Sequence, residues 1–192
     1  MVNIPPLMPS ARWFANFLKA KARGETISTA MSEANSLLES LREFGRFTLS
    51  DKSGDILTLS VAVEGGGRQL RYADRIEEVR LSEHGEWRRN HLRAIEACLG
   101  KKPYYSHIFS SISDIYLDKN IVLLKDFNMA IFGKLYSFIL GDLKETDFLS
   151  FPTTPLIRER GEEIAGKIKP EISSLEALSI LGKESVLGFF CL

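Results

Sequence analysis

Apolar residues recur at helical spacing near the start of the chain. Trp13, Phe14, Phe17 and Leu18 form one face of a segment from about Ala11 to Arg23. Ser10 is placed to cap that helix and Gly24 to end it, while Pro5, Pro6 and Pro9 hold the preceding residues extended. Ala30, Ala34, Leu37, Leu38 and Leu41 predict a second helix over about Thr29 to Glu43. The period then changes to two. Arg46 to Ser50 and Ile56 to Val63 alternate and are rich in β-branched residues, with Asp51 to Asp55 as the hairpin loop. Gly65 to Gly67 reads as a loop, and Arg75 to Ser82 as a third strand. Helices are predicted from about Glu86 to Leu99, stopped by Gly100, from Pro103 to Leu117, and from Asn120 to Leu140, stopped by Gly141. After a loop with Pro152 and Pro155, a short helix near Glu159 to Gly166 and turns over Ser173 to Leu181 complete the pattern. Strands fall in one block and helices in another. The expected fold is therefore α+β, a small antiparallel sheet in the N-terminal half packed against a helical C-terminal half. A length of 192 residues suits a single domain.

Composition narrows the function classes. With 44% apolar and 26% charged residues, wholesale disorder is excluded. Lys+Arg and Asp+Glu both number 25, and the resulting zero net charge argues against a dedicated nucleic-acid binder. The most apolar stretch, Ile121 to Leu140, is broken by Lys125, Asp126, Asn128 and Lys134, so no membrane span is expected. The opening residues lack the basic and apolar regions of a secretory signal, which makes a cytoplasmic location the expectation. Cys98 and Cys191 have no nearby cysteine partner and are expected to be reduced and buried. The three histidines are scattered too, so neither a metal site nor a cofactor is predicted.

Candidate chemistry concentrates where the third strand hands over to the long helix, in Ser82-Glu83-His84-Gly85-Glu86-Trp87-Arg88-Arg89-Asn90-His91-Leu92-Arg93. Ser82 or His84 could cap the helix, and Gly85 permits the turn. Trp87, His91, Ala94, Ile95 and Cys98 share one helix face, so His91 is polar on an apolar stripe. It is either a hydrogen-bonded core histidine or a pocket acid–base group. Arg88, Arg89 and Arg93, with Arg68, Arg71 and Arg75 upstream, are either a solvated face balanced by Glu77, Glu78, Glu83, Glu86 and Glu96 or an anion site. Gly65-Gly66-Gly67 lacks the lysine and the strand–helix context of a phosphate loop. Asp126 and Asn128 sit inside a predicted helix, either bonded to other elements or on an exposed face.

Several segments together resemble the WbqC-like protein family. They are Ile4-Pro5-Pro6 ahead of Trp13-Phe14, Arg46 before the hairpin, Leu57-Thr58-Leu59-Ser60-Val61, Leu81-Ser82-Glu83-His84-Gly85-Glu86-Trp87-Arg88 with His91, Lys102-Pro103-Tyr104-Tyr105, and Asp126-Phe127-Asn128. The resemblance spans essentially all of 1–192 and is best over about 46–140. The chain departs from the family pattern in residues 33–45, at Ser60 where a proline is usual, and at Cys98 where a tyrosine is usual, so it reads as a divergent member. The resemblance implies work in O-antigen or other surface-polysaccharide biosynthesis on a nucleotide-linked amino sugar, with group transfer as the reaction type. In that reading an anionic sugar nucleotide or acyl donor binds between sheet and helices. Arg46 and Arg88 neutralise its charge, Trp87 walls the pocket, and Arg93, Asp126 and Asn128 complete the ligand set. His91 is the acid–base candidate and His84 the second. The alternative is a non-catalytic partner of a glycan-biosynthesis enzyme, to which the diverged 33–45 segment and the apolar stretch Leu187 to Leu192 point.

Overall fold

Ser10 opens the first helix as its spacing requires, its Oγ accepting a hydrogen bond from Trp13 N. The computed structural model describes residues 4–140 apart from 39, 51–54, 72 and 102–104. Helix α1 is Ala11–Ala22 and α2 is Ile27–Asn35, capped by Thr26. A 3₁₀ turn, Leu41–Phe44, leads into strands β1, Arg46–Ser50, and β2, Ile56–Ser60. Further 3₁₀ turns cover Gln69–Arg71 and Ala73–Glu78. Helices α3, Trp87–Leu99, α4, Tyr105–Leu117, and α5, Leu124–Leu140, follow. The architecture is α+β, a two-stranded antiparallel sheet followed mostly by helices.

Several boundaries differ from the sequence pattern, and four of the differences have a local reason. The second helix ends at Asn35 rather than near Glu43. A new turn starts at Ser40, whose hydroxyl and backbone form a reciprocal capping box with Glu43. The expected third strand is a 3₁₀ turn over Ala73–Glu78. Ile76 and Val79 are buried while Arg75, Glu77 and Glu78 are exposed, which is a period of three and not two. What survives of sheet pairing there is two isolated bridges, Val63 to Leu81 and Arg80 to Leu123. Those bridges also delay α5 to Leu124, because Leu81 N donates to Val122 O and Leu124 N to Val79 O. At α3 the N-cap is Glu86 with no side-chain bond, so neither Ser82 nor His84 caps it. Ser82 Oγ instead accepts from His84 N, and Gly85 takes the left-handed φ of +72° that turns the chain into the helix. The hairpin loop over 51–54, the Pro103 start, the Gly141 stop, the later helix and turns, Cys191 and the Leu187–Leu192 stretch lie outside the described residues.

The core joins both ends of the described chain. Trp13 stacks on Phe17 at 5.5 Å, and both meet Phe132 of α5 edge-on. The extended opening is threaded through this core, residues 4–9 being buried throughout. Its backbone is satisfied by side chains: Asn35 Nδ2 donates to Ile4 O and Asn128 Nδ2 to Pro5 O, while Leu7 N donates to Glu43 O. Held this way, Met8 takes a φ of +97°, a region that residues with a Cβ rarely occupy. Asn128 also donates to Phe44 O at 2.8 Å, so one fully buried amide links α5, the opening segment and the turn before β1.

Asn128→Leu should therefore lower the unfolding free energy by about 2–5 kcal/mol, since two buried carbonyls lose their donor. Urea denaturation reads this directly. An unchanged midpoint would mean those carbonyls find other donors.

Candidate functional site

Burial of α3's first turn fixes the polar cluster. Trp87 and Arg88 are both buried, and each uses its polar atoms within the fold. Trp87 Nε1 donates to Ser82 O at 2.7 Å, closing the turn that contains His84 and Gly85. Arg88 Nε and Nη2 both reach Glu83 Oε1, at 3.0 and 2.9 Å. Its Nη1 donates to Tyr116 O at 3.0 Å and to Asp118 O at 3.4 Å, and Nη2 to Ile121 O at 3.2 Å. The guanidinium also lies over the rings of Trp87 and Phe127. Arg88 thus binds α3 to the connection between α4 and α5.

One turn further on, His91 is enclosed, 3% exposed, against the inner face of the hairpin. Its Nε2 lies 3.1 Å from Ser60 O. A carbonyl only accepts, so Nε2 carries the proton and Nδ1 is left as an acceptor. The Tyr116 hydroxyl stands 3.4 Å from that nitrogen and donates to it. Burial pushes the imidazole down to about 4, against a smaller upward pull from the Ser60 carbonyl. His91 is therefore neutral at pH 7. Burial likewise raises the Tyr116 phenol, with Arg88 opposing. Phe47, Trp87 and Tyr116 ring the imidazole at centroid distances of 5.7, 5.2 and 5.7 Å. These buried rings lie between the hairpin and the helices, the place where a ligand pocket was expected.

The remaining sequence candidates fall into two groups. Asn128 is wholly buried, its Nδ2 committed as above and its Oδ1 without a partner. His84, Arg93 and Asp126 are exposed, on the turn before α3, on α3 and in the first turn of α5 respectively. Arg46 is half-buried at the start of β1 and pairs in register with Ser60. Strand alternation places it on the face opposite Phe47, whose ring meets His91. The Arg46 and His91 side chains accordingly stand on opposite faces of β1, with Ser60 between them.

The outer face has a composition that the helix-centred reading missed. Arg46 pairs with Ser60 and Thr48 with Thr58, and Thr48, Thr58 and Ser60 are exposed. Three hydroxyls and one guanidinium thus share an open sheet surface. The signal was present in the strand alternation, since Arg46, Thr48 and Ser50 alternate with Phe47 and Leu49, and Thr58 and Ser60 with Leu57 and Leu59. Ser82 N donates to Ala62 O at 2.8 Å, which sets the turn carrying His84 beside the end of β2.

Among the described residues, no helix is long and apolar enough to cross a membrane. Residues 44–151 match the model of the WbqC-like protein family. No curated protein and no solved structure gives a significant match.

The depressed His91 pKa has a signed consequence for stability. The unfolded imidazole titrates near 6.5 and the folded one at about 4. The unfolded state therefore binds the extra proton between those values, and stability present above pH 6.5 is lost as pH falls toward 4. The full loss is about 3 kcal/mol. Urea unfolding at pH 7 and pH 5 should show about 2 kcal/mol of this loss in the wild type. The drop should be smaller in His91→Gln, and equal drops in the two proteins would contradict a buried neutral histidine.

Proposed function

The chain belongs to the WbqC-like protein family, and from that membership together with the hairpin's outer face we propose that it binds a nucleotide-linked amino sugar and acts in O-antigen or other surface-polysaccharide biosynthesis. The observation that carries the ligand reading is Arg46. It is half-buried, yet makes no ion pair or side-chain hydrogen bond among the described residues. A planar guanidinium held on a strand and left without a carboxylate suits a phosphate, which it can grip with two parallel hydrogen bonds. The neighbouring hydroxyls of Thr48, Thr58 and Ser60 both donate and accept, as recognition of sugar hydroxyls requires. Group transfer is the finer part of the proposal. His84 serves it as the acid–base group, being exposed beside the end of β2, whereas His91 is enclosed. Arg88 and Trp87 support the site by holding the turn on which His84 sits.

A second reading is a binding partner without catalysis in the same pathway. The enclosure of His91 favours it, because the histidine best placed by sequence for acid–base work is buried.

A thermal-shift and turnover assay separates the two. UDP-N-acetylglucosamine at about 100 times its dissociation constant stabilises the fold by about 2.7 kcal/mol, raising the melting midpoint by a few degrees. Arg46→Gln should abolish that shift. His84→Ala should retain the shift but lose transfer in the presence of an acyl donor. Binding without turnover in the wild type selects the partner reading. A cooperative melt with no shift across a panel of nucleotide-linked sugars overturns the ligand reading.

A further inference from the structure

We propose that Arg42, Arg46, Arg68 and Arg71 form one diphosphate-binding seam on the surface of this chain. The proposal rests on the function above in sharing Arg46, and extends it by naming the group that is gripped. The two arginine pairs come from segments distant in sequence. Arg42 and Arg46 flank Gly45, and Arg68 and Arg71 flank Leu70. The segments are pressed together, since a Cβ at Gly45 would stand 2.6 Å from Leu70 Cδ1. The 3₁₀ turns Leu41–Phe44 and Gln69–Arg71 are in direct contact as a result. Arg42, Arg68 and Arg71 are exposed and Arg46 is half-buried.

None of the four has an ion pair or a side-chain hydrogen bond among the described residues. Two of the described carboxylates nearby have other partners. Glu43 Oε1 accepts from Ser40 N, and Glu64 pairs with Arg80. Glu77 and Glu78 are exposed on the following turn and pair with none of the four. The whole chain has 25 basic and 25 acidic residues, whereas the two contacting segments, 41–46 and 68–71, hold four arginines against one carboxylate, Glu43, which is a local excess of positive charge. Like charges within about a Debye length, roughly 8 Å in physiological salt, repel one another and attract a compact anion. A diphosphate carries its charge on two linked groups, each able to take a bidentate guanidinium. A long polyanion fits less well, because the zero net charge leaves no extended positive field.

The test is calorimetric titration of the full chain with inorganic pyrophosphate at 50 and 200 mM salt. One site is expected, with affinity falling as salt rises. The double variant Arg42→Gln/Arg71→Gln should bind at least about tenfold more weakly. Both positions are exposed, and circular dichroism melting verifies that the variant is folded. Lys119→Gln, on the turn between α4 and α5, should bind like the wild type. Absence of pyrophosphate binding, undiminished binding by the folded double variant, or tighter binding of a single-stranded oligonucleotide than of pyrophosphate would each overturn the seam. The two proposals fail separately. Binding of UDP-N-acetylglucosamine without binding of pyrophosphate removes the seam and keeps the function. Arginine-dependent pyrophosphate binding with no nucleotide-sugar binding keeps the seam and removes the function.

Discussion

A buried guanidinium must have partners, and the way Arg88 finds them organises this molecule. Removing a charge from water is costly unless attraction and hydrogen bonds offset it. Arg88 meets that condition with one carboxylate oxygen of Glu83 and the carbonyls of Tyr116, Asp118 and Ile121. Because the three carbonyls span the link between α4 and α5, satisfying the charge also fixes that link against α3. The same link supplies Val122 and Leu124, whose backbones pair with Leu81 and Val79. Residues 79–82 are thereby held extended next to β2, and the turn carrying His84 follows from their position. A single charge thus relates the helical half to the hairpin.

Packing around Arg88 decides which face of the hairpin is available for chemistry. Trp87, Tyr116 and Phe127 close on one another edge-to-face, and His91 and Phe47 complete the layer under β1. Interiors pack to the density of organic crystals. A layer built of five such rings therefore serves as core, and His91 acts within it as a donor to Ser60 O that holds the hairpin down. Open polar groups are found on the other side of the strands, where Arg46, Thr48, Thr58 and Ser60 face outward. The turn with Arg68 and Arg71 touches the turn before β1 at the Gly45–Leu70 contact. Core residues and open polar residues are divided by the thickness of one hairpin.

How much was readable in the chain varies with the range of the interaction involved. Ser10, Gly24, Gly85 and Gly100 act through their own backbone or the next turn, and all four mark boundaries that the structure retains. The hairpin strands were readable for the same reason, with β1 matching and β2 ending at Ser60 rather than Val63. Arg75 to Ser82 misled because its apolar residues satisfy two periods imperfectly. The choice between them was made by Ile76 and Val79 packing beneath a 3₁₀ turn. The inward face of Trp87, His91, Ala94, Ile95 and Cys98 was legible from helical geometry, and all are buried but Ala94, which is half-buried.

Local chemistry thus specified the α+β class, the helix-forming segments, the strand pair and the inward stripe of α3, since each depends on residues within a few positions of one another. Tertiary packing alone decided the rest. Whether His91 was a core or a pocket histidine depended on Ser60 and Tyr116, 31 and 25 residues away. Asn128 found its acceptors at Pro5 and Phe44, 123 and 84 residues away. The segment with Arg42 and Arg46 meets the segment with Arg68 and Arg71 through the Gly45–Leu70 contact. Partners of that kind are selected by the geometry of the whole core, and no spacing within a single segment encodes it.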